Sequence, residues 1–281
     1  MTHQRIRVVR LAHVYYQHPN LQTALDFLGD FGFIEQARDG VGKVYLRGYG
    51  EQPYIYVAEQ SPDDSRHFLG AAWAVETRSD LDIAAGVDSA TPIRKNDGPG
   101  GGEIVSIKDP NGMFVHFVHG QELRQPVTGS SLPVLEKTVS VSNTVTRKDR
   151  KGDFRRFTPG PSPIHKLGHY GYGVPRNNFK LTLNWYLKTL NLKETDSVFN
   201  PITGDDETCF LHIDLGDQFT DHHSFFVAAT DAPHAFVHHS SYEVNDFDTE
   251  TLGHDWLLKK GWKNCWGLGR HVLGSQIFDY W

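Results

Sequence analysis

Cysteine is nearly missing from this sequence: Cys209 and Cys265 are the only two in 281 residues. Nothing in their setting marks a disulfide framework, which excludes a small cross-linked scaffold and fits a reducing, cytoplasmic location. No apolar run approaches the length of a membrane helix, so no membrane partner is expected. The opening MTHQRIRVVRLAHVYYQ alternates like a strand and lacks the apolar core of a signal peptide. Positive charge is not in excess either. Lys and Arg number 28 against 34 Asp and Glu, giving net charge −6 and a pI near 6.2. That balance argues against nucleic acid as the main partner. The glycine-rich GPGGGE carries no Gly-Lys-Ser/Thr, so a phosphate loop is excluded. Cys265 has no base near it in sequence to make it a nucleophile.

What the chain does have is histidine, 16 residues of it, set in two halves with the same order of elements. RLAHVYYQ reads as a strand, and NLQTALDFLGDFGF as a helix with Leu21, Leu25 and Leu28 on one face. The strand candidates KVYLRG, YIYVAEQ, FLGAAWAVE and MFVHFVH follow, the last behind the turn KDPNG. A polar stretch rich in Pro, Ser and basic residues then reads as a linker. After it, LGHYGYGVP repeats the first strand, setting His169 against His13. NFKLTLNWYLKTLNL reads as a helix with Phe179, Leu183, Leu187 and Leu190 on one face. TCFLHIDLG, HHSFFVAAT and HHSSYEVND are strands, and TETLGHDWLLKKG is a helix closing on Lys-Lys-Gly. The expected fold is α+β, built from repeated βαβββ modules. The division is a domain over 1–122, a linker or extended arm over 123–162 and a second domain over 163–281.

In the second half His169, the pairs His222/His223 and His238/His239, and His271 fall on separate segments. Period-2 alternation on a curved sheet could bring several of them to one pocket. Imidazole binds first-row metals, and two His with one carboxylate is the ligand set of non-haem Fe(II) oxygenases. A lone strand histidine is more often a packed residue, so spacing leaves both readings open.

LGHYGYGVP, HHSFFVAA, HHSSYEVNDFD and GLGRHVLGSQIFDYW, in that order, closely resemble the catalytic half of type I extradiol ring-cleaving dioxygenases. These belong to the vicinal oxygen chelate superfamily and include catechol 2,3-dioxygenases and 2,3-dihydroxybiphenyl 1,2-dioxygenases. The resemblance covers nearly the whole chain, the first half matching the family's non-catalytic domain. It implies two domains of two βαβββ modules each. It implies that His169 and His239 are iron ligands, that His223 is the acid/base, and that His271 and Tyr280 hydrogen-bond the substrate. His238 would point the other way and be structural. The implied cofactor is Fe(II), with Mn(II) possible by ligand type; the implied partners are a catechol and O₂, and the implied assembly a homo-oligomer.

The resemblance also implies a third ligand, a Glu on a last strand after an Asp-Pro-x-Gly turn. In the first half His116 takes that place, nine residues after Ile107. If Trp281 corresponds to Ile107, the Glu is expected beyond Trp281, and the second domain lacks its last strand. Glu243, Asp246 and Asp279 are close in sequence, but alternation and the family pattern put none of them at the metal. Two functions follow as expectations: an extradiol dioxygenase, or an impaired or inactive homologue that binds an aromatic small molecule.

Overall fold

The computed structural model describes residues 4–125, 145–146, 158–272 and 274–281, so most of the linker expected over 123–162 lies outside the described residues. Four modules follow one another. The first runs β1 (Val8–His18), α1 (Leu21–Phe31), β2 (Ile34–Arg38), β3 (Val44–Arg47) and β4 (Tyr56–Gln60). The second runs β5 (His67–Val75), α2 (Arg78–Ala85), β6 (Arg94–Lys95), β7 (Glu103–Lys108) and β8 (Phe114–His119). The third has β9 (Ile164–Pro175), α3 (Phe179–Thr189), β10 (Leu192–Phe199), β11 (Asp206–Ile213) and β12 (Phe225–Thr230). The fourth has β13 (Phe236–Val244), α4 (Phe247–Lys259), β14 (Gly267–Arg270) and β15 (Ile277–Tyr280).

Local chemistry explains where the helices begin and end. Asn20 caps α1 by accepting from the Thr23 N–H at 2.9 Å, and Gly32 ends it at φ +120°, a conformation few other residues adopt. A reciprocal Thr77–Asp80 capping box starts α2. Asp246 caps α4 by accepting from Thr249 N–H at 2.8 Å. The helix α2 and the strands β2, β6, β7, β10 and β14 are not singled out from the sequence. On α3 the buried side chains are Phe179, Thr182 and Tyr186, so the inward stripe is turned from the expected one; Leu183 and Leu187 only flank the core.

In the first half one sheet of eight strands runs β2-β3-β4-β1-β5-β8-β7-β6. β1 joins the two modules by pairing β4 parallel and β5 antiparallel, and β8 joins β5 to β7. The third module repeats the first: β9 pairs β12 parallel and β13 antiparallel. In the fourth, among the described residues, no strand bridges β13 to β15. The second half accordingly has a five-stranded sheet, β10-β11-β12-β9-β13, and a separate β14–β15 pair.

One continuous core spans both halves, from Val8, Trp73 and Phe117 to Tyr170, Tyr186 and Phe225. Polar contacts pin the junction. The KDPNG turn docks on α3, where Asn111 Nδ2 donates to Thr182 Oγ1 at 2.8 Å and Tyr186 donates to Asp109 at 3.4 Å. Trp73 Nε1 donates to the Tyr170 hydroxyl at 3.3 Å. No helix among the described residues is long and apolar enough to cross a membrane.

Candidate metal and substrate site

The two halves place their leading histidines alike and surround them differently. His169 lies on β9 and His239 on β13, antiparallel neighbours whose register carries a bulge between Val237 and His239. The bulge falls at His238, immediately before His239, and His239 is more buried than His238. The two Nε2 atoms stand 3.0 Å apart. Two nitrogen ligands at right angles, each about 2.1 Å from a metal, stand about 3.0 Å apart. The contact is a hydrogen bond between the two rings, at a spacing that two adjacent ligand positions on a divalent ion would also have.

Both imidazoles are held neutral, as ligands must be. Burial, then the charges of His223, His239 and His271, push His169 well below the ordinary histidine value. Burial, then His238 and His223, push His239 down to about 3. The Nδ1 atoms of His238 and His239 lie 2.9 Å apart, so His238 fixes the ring that presents Nε2 inward. His222 and His223 repeat the arrangement at 3.0 Å. His238, which the sequence presents only as structural, thus orients a neighbour. The signal that could have shown this was adjacency itself, occurring twice.

His223 sits in the loop before β12, not in the strand expected over HHSFFVAAT. Its ring centroid is 4.1 Å from that of His169 and 5.0 Å from that of Phe210. Burial, then the neighbouring His222 and His271, lower it to about 4. Tyr280 on β15 brings its ring 5.3 Å from His239, edge to face. Burial, then Cys265, raise its hydroxyl above the ordinary value. His271 lies beyond β14 with its ring 4.3 Å from Phe278 and 6.2 Å from Tyr280. All five residues singled out from the sequence thus reach one region of the second half.

The neighbouring carboxylates are committed elsewhere. Glu243 pairs with His165 at 3.0 Å and Lys166 at 3.5 Å, Asp246 caps α4, and Asp279 meets His254 at 3.0 Å. Among the described residues no third His, Cys, Asp or Glu completes a ligand group.

The first half has the same framework without the opening. His13 is fully buried with Nε2 2.8 Å from the Tyr15 hydroxyl, and Tyr54 packs 4.3 Å from its ring. His116 is satisfied on both nitrogens: Ser106 Oγ lies 2.7 Å from Nδ1, and Nε2 donates to the Leu69 carbonyl at 2.9 Å. His13 keeps its buried Nδ1 without a hydrogen-bond partner, and its Nε2 is taken by Tyr15.

No family model matches the chain. Solved structures share its fold. Among them are a Mn(II)-bound glyoxalase from Novosphingobium aromaticivorans (TM-score 0.73, 19% identity, 98% of this chain and 78% of that one) and the 2,3-dioxygenase LapB from Pseudomonas sp. KL28 (0.70, 16%, 95% and 86%). An extradiol ring-cleaving dioxygenase from B. fuscum aligns with TM-score 0.74 at 16% identity, over 98% of this chain and 68% of that one. The fold is therefore that of the vicinal oxygen chelate proteins. Among curated proteins, metapyrocatechase 2 of Cupriavidus necator is 33% identical over 98 residues, which is 35% of this chain and 27% of that protein. The match thus spans about a quarter of that relative's length.

Proposed function

We propose that this chain is an extradiol dioxygenase that holds a divalent metal through His169 and His239 and opens a catechol ring beside its vicinal hydroxyls, both atoms of O₂ entering the product. The 3.0 Å separation of the two neutral Nε2 atoms is the observation that carries the reading. The likeness to metapyrocatechase 2 and to dioxygenase structures supports it. Fe(II) is the metal proposed, with Mn(II) as the alternative. When bound, such a metal holds catechol and O₂ side by side and conveys electron density from the ring to O₂.

The protein's own part is proton handling and orientation. A neutral His223 beside His169 takes the proton a catechol hydroxyl must lose, at an imidazole nitrogen, and returns it later. The Tyr280 hydroxyl and His271 lie on the substrate side, where they orient the diol by hydrogen bonds. Phe210, against His223, and Phe226, 5.0 Å from His239, shield the site from water. Among the described residues no carboxylate completes the ligand set. We include in this reading a homo-oligomer working in the cytoplasm, its size to be read by light scattering.

Anaerobic loading with Fe(II), then a panel of catechols followed by O₂ electrode and visible absorbance, tests the proposal. Retained iron and a yellow product formed with matching O₂ uptake are expected, and His239→Ala should retain no iron. Unchanged iron content in His239→Ala would sink the assignment. A second reading, an inert protein that binds an aromatic molecule, is favoured by the two-donor set among the described residues. Tight anaerobic catechol binding without O₂ uptake in iron-supplemented protein would select it.

A further inference from the structure

Helix α4 is gripped on opposite faces. At 100° per residue, His254 and Trp256 lie about 200° apart around it, while Trp256 and Lys260 share a face. On that second face Asp30, from α1 of the first half, accepts from Trp256 Nε1 at 3.1 Å and from Trp262 Nε1 at 3.0 Å. Lys260 Nζ stands 3.1 Å from the same carboxylate and 4.9 Å from the Trp256 ring centroid. Burial alone would raise the Asp30 carboxyl, but the three donors outweigh it and hold the group below the ordinary range. Phe27 adds an edge contact to Trp262 at 5.3 Å.

On the opposite face His254 Nδ1 stands 3.0 and 3.1 Å from the two oxygens of Asp279, whose side chain is 9% exposed. Trp281 Nε1 donates to Asp279 at 2.5 Å. The next residue back along this network is Tyr280, whose carbonyl accepts from Cys265 N–H, Trp266 N–H and Asn264 Nδ2 at 3.1 to 3.2 Å. Among the described residues β14 and β15 pair with each other, and the His254–Asp279 contact ties β15 to α4 next to Tyr280.

We infer that the first half of the chain positions Tyr280 against His239 through a clamp closed on both faces of α4, Asp30 at one end and Asp279 at the other. The inference rests on the proposed role of Tyr280 in substrate orientation. It gives the catalytically silent half a task. Asp30 and Asp279 are positioning residues: neither touches the metal pair, and each acts through α4 on the strand that carries Tyr280.

The test uses Asp30→Asn, Trp256→Phe and Asp279→Asn in the full chain. In metal-free protein, amide exchange across Ile277–Tyr280 should quicken about tenfold in each, with β9 unchanged. In iron-loaded protein kcat should fall about tenfold with KM within about twofold, the pattern of a misplaced group whose share in substrate binding is intact. Added to Tyr280→Phe, Asp279→Asn should cost little more, because both act through one hydroxyl. Unaltered β15 exchange in Asp30→Asn, or effects on kcat that simply add, would overturn the clamp. If Asp279→Asn does not fold, His254→Gln cuts the same interaction. If Tyr280→Phe leaves turnover intact, the catalytic reading of Tyr280 fails, while exchange still decides the clamp.

Discussion

Tyr15 and Gly171 stand at matching positions, two residues beyond His13 and His169, and face matching histidines in opposite ways. The Tyr15 hydroxyl meets His13 Nε2 at 2.8 Å and its ring lies 5.0 Å from that of His116. Gly171 presents no side chain, and the Phe226 ring lies across it so closely that a Cβ there would come within 2.2 Å. In the first half a tyrosine fills the space over the histidine; in the second a glycine lets a phenylalanine lie flat and leaves His169 to meet His239. Duplication supplied two equal frames, and side-chain volume separated their uses.

Gly171→Ala should therefore push Phe226 off its seat. Overpacking of this kind costs about 1–3 kcal/mol. A lower urea midpoint with unchanged slope is expected, together with weaker metal retention, since Phe226 also packs on His239. Unchanged stability would show that the ring moves freely and that the glycine is not required.

Histidines of the first half should make the protein acid-sensitive. Burial pushes His116 down to about 4, only partly offset by its bond to Leu69; burial, then Arg66, pushes His18 to about 4. Unfolded, each titrates near 6.5. Between those values the unfolded chain binds protons that the folded one refuses, so stability is full above about pH 6.5, falls as pH drops and levels near pH 4. Each proton contributes a slope of about 1.4 kcal/mol per pH unit. Urea unfolding at pH 5 and pH 7 checks this, and His116→Gln should flatten the dependence by about one proton.

Glu250 on α4 should act with the opposite sign. Burial, then the charge of Asp279, raises it to about 7. The folded state keeps this proton where the unfolded chain, titrating near 4.3, has released it. Its contribution is present at low pH and is lost as pH rises from about 4.3 to 7. In a Glu250→Gln background the rise in stability from pH 5 to 7 should steepen. A background that leaves the curve unchanged would mean that Glu250 is well solvated.

Much of this was legible in the residues because it rests on local, periodic or recurring patterns. The repeat LAHVYY/LGHYGY marked β1 and β9 as equivalent, Lys-Lys-Gly marked the end of α4, and turn chemistry marked KDPNG. The weakly patterned α2 and β10 were not legible, because α2 is short and polar and β10 is largely exposed. Phe199 at the end of β10 is 59% exposed, so its aromatic side chain does not join the core. The orienting roles of His222 and His238 were signalled only by adjacency, since they depend on contacts between ring nitrogens.

What the sequence by itself determined is the order of the strongly patterned elements, the equivalence of the halves and the residue types available to a site. These follow from backbone preference and hydrophobic period, which act over a few residues. Only the tertiary structure decided that the Nε2 atoms of His169 and His239 meet at 3.0 Å, that Tyr15 closes one frame while Gly171 opens the other, and that Asp30 reaches across to α4. Those outcomes depend on volumes and hydrogen bonds between segments up to 232 residues apart. Such contacts form only once the core has brought the segments together.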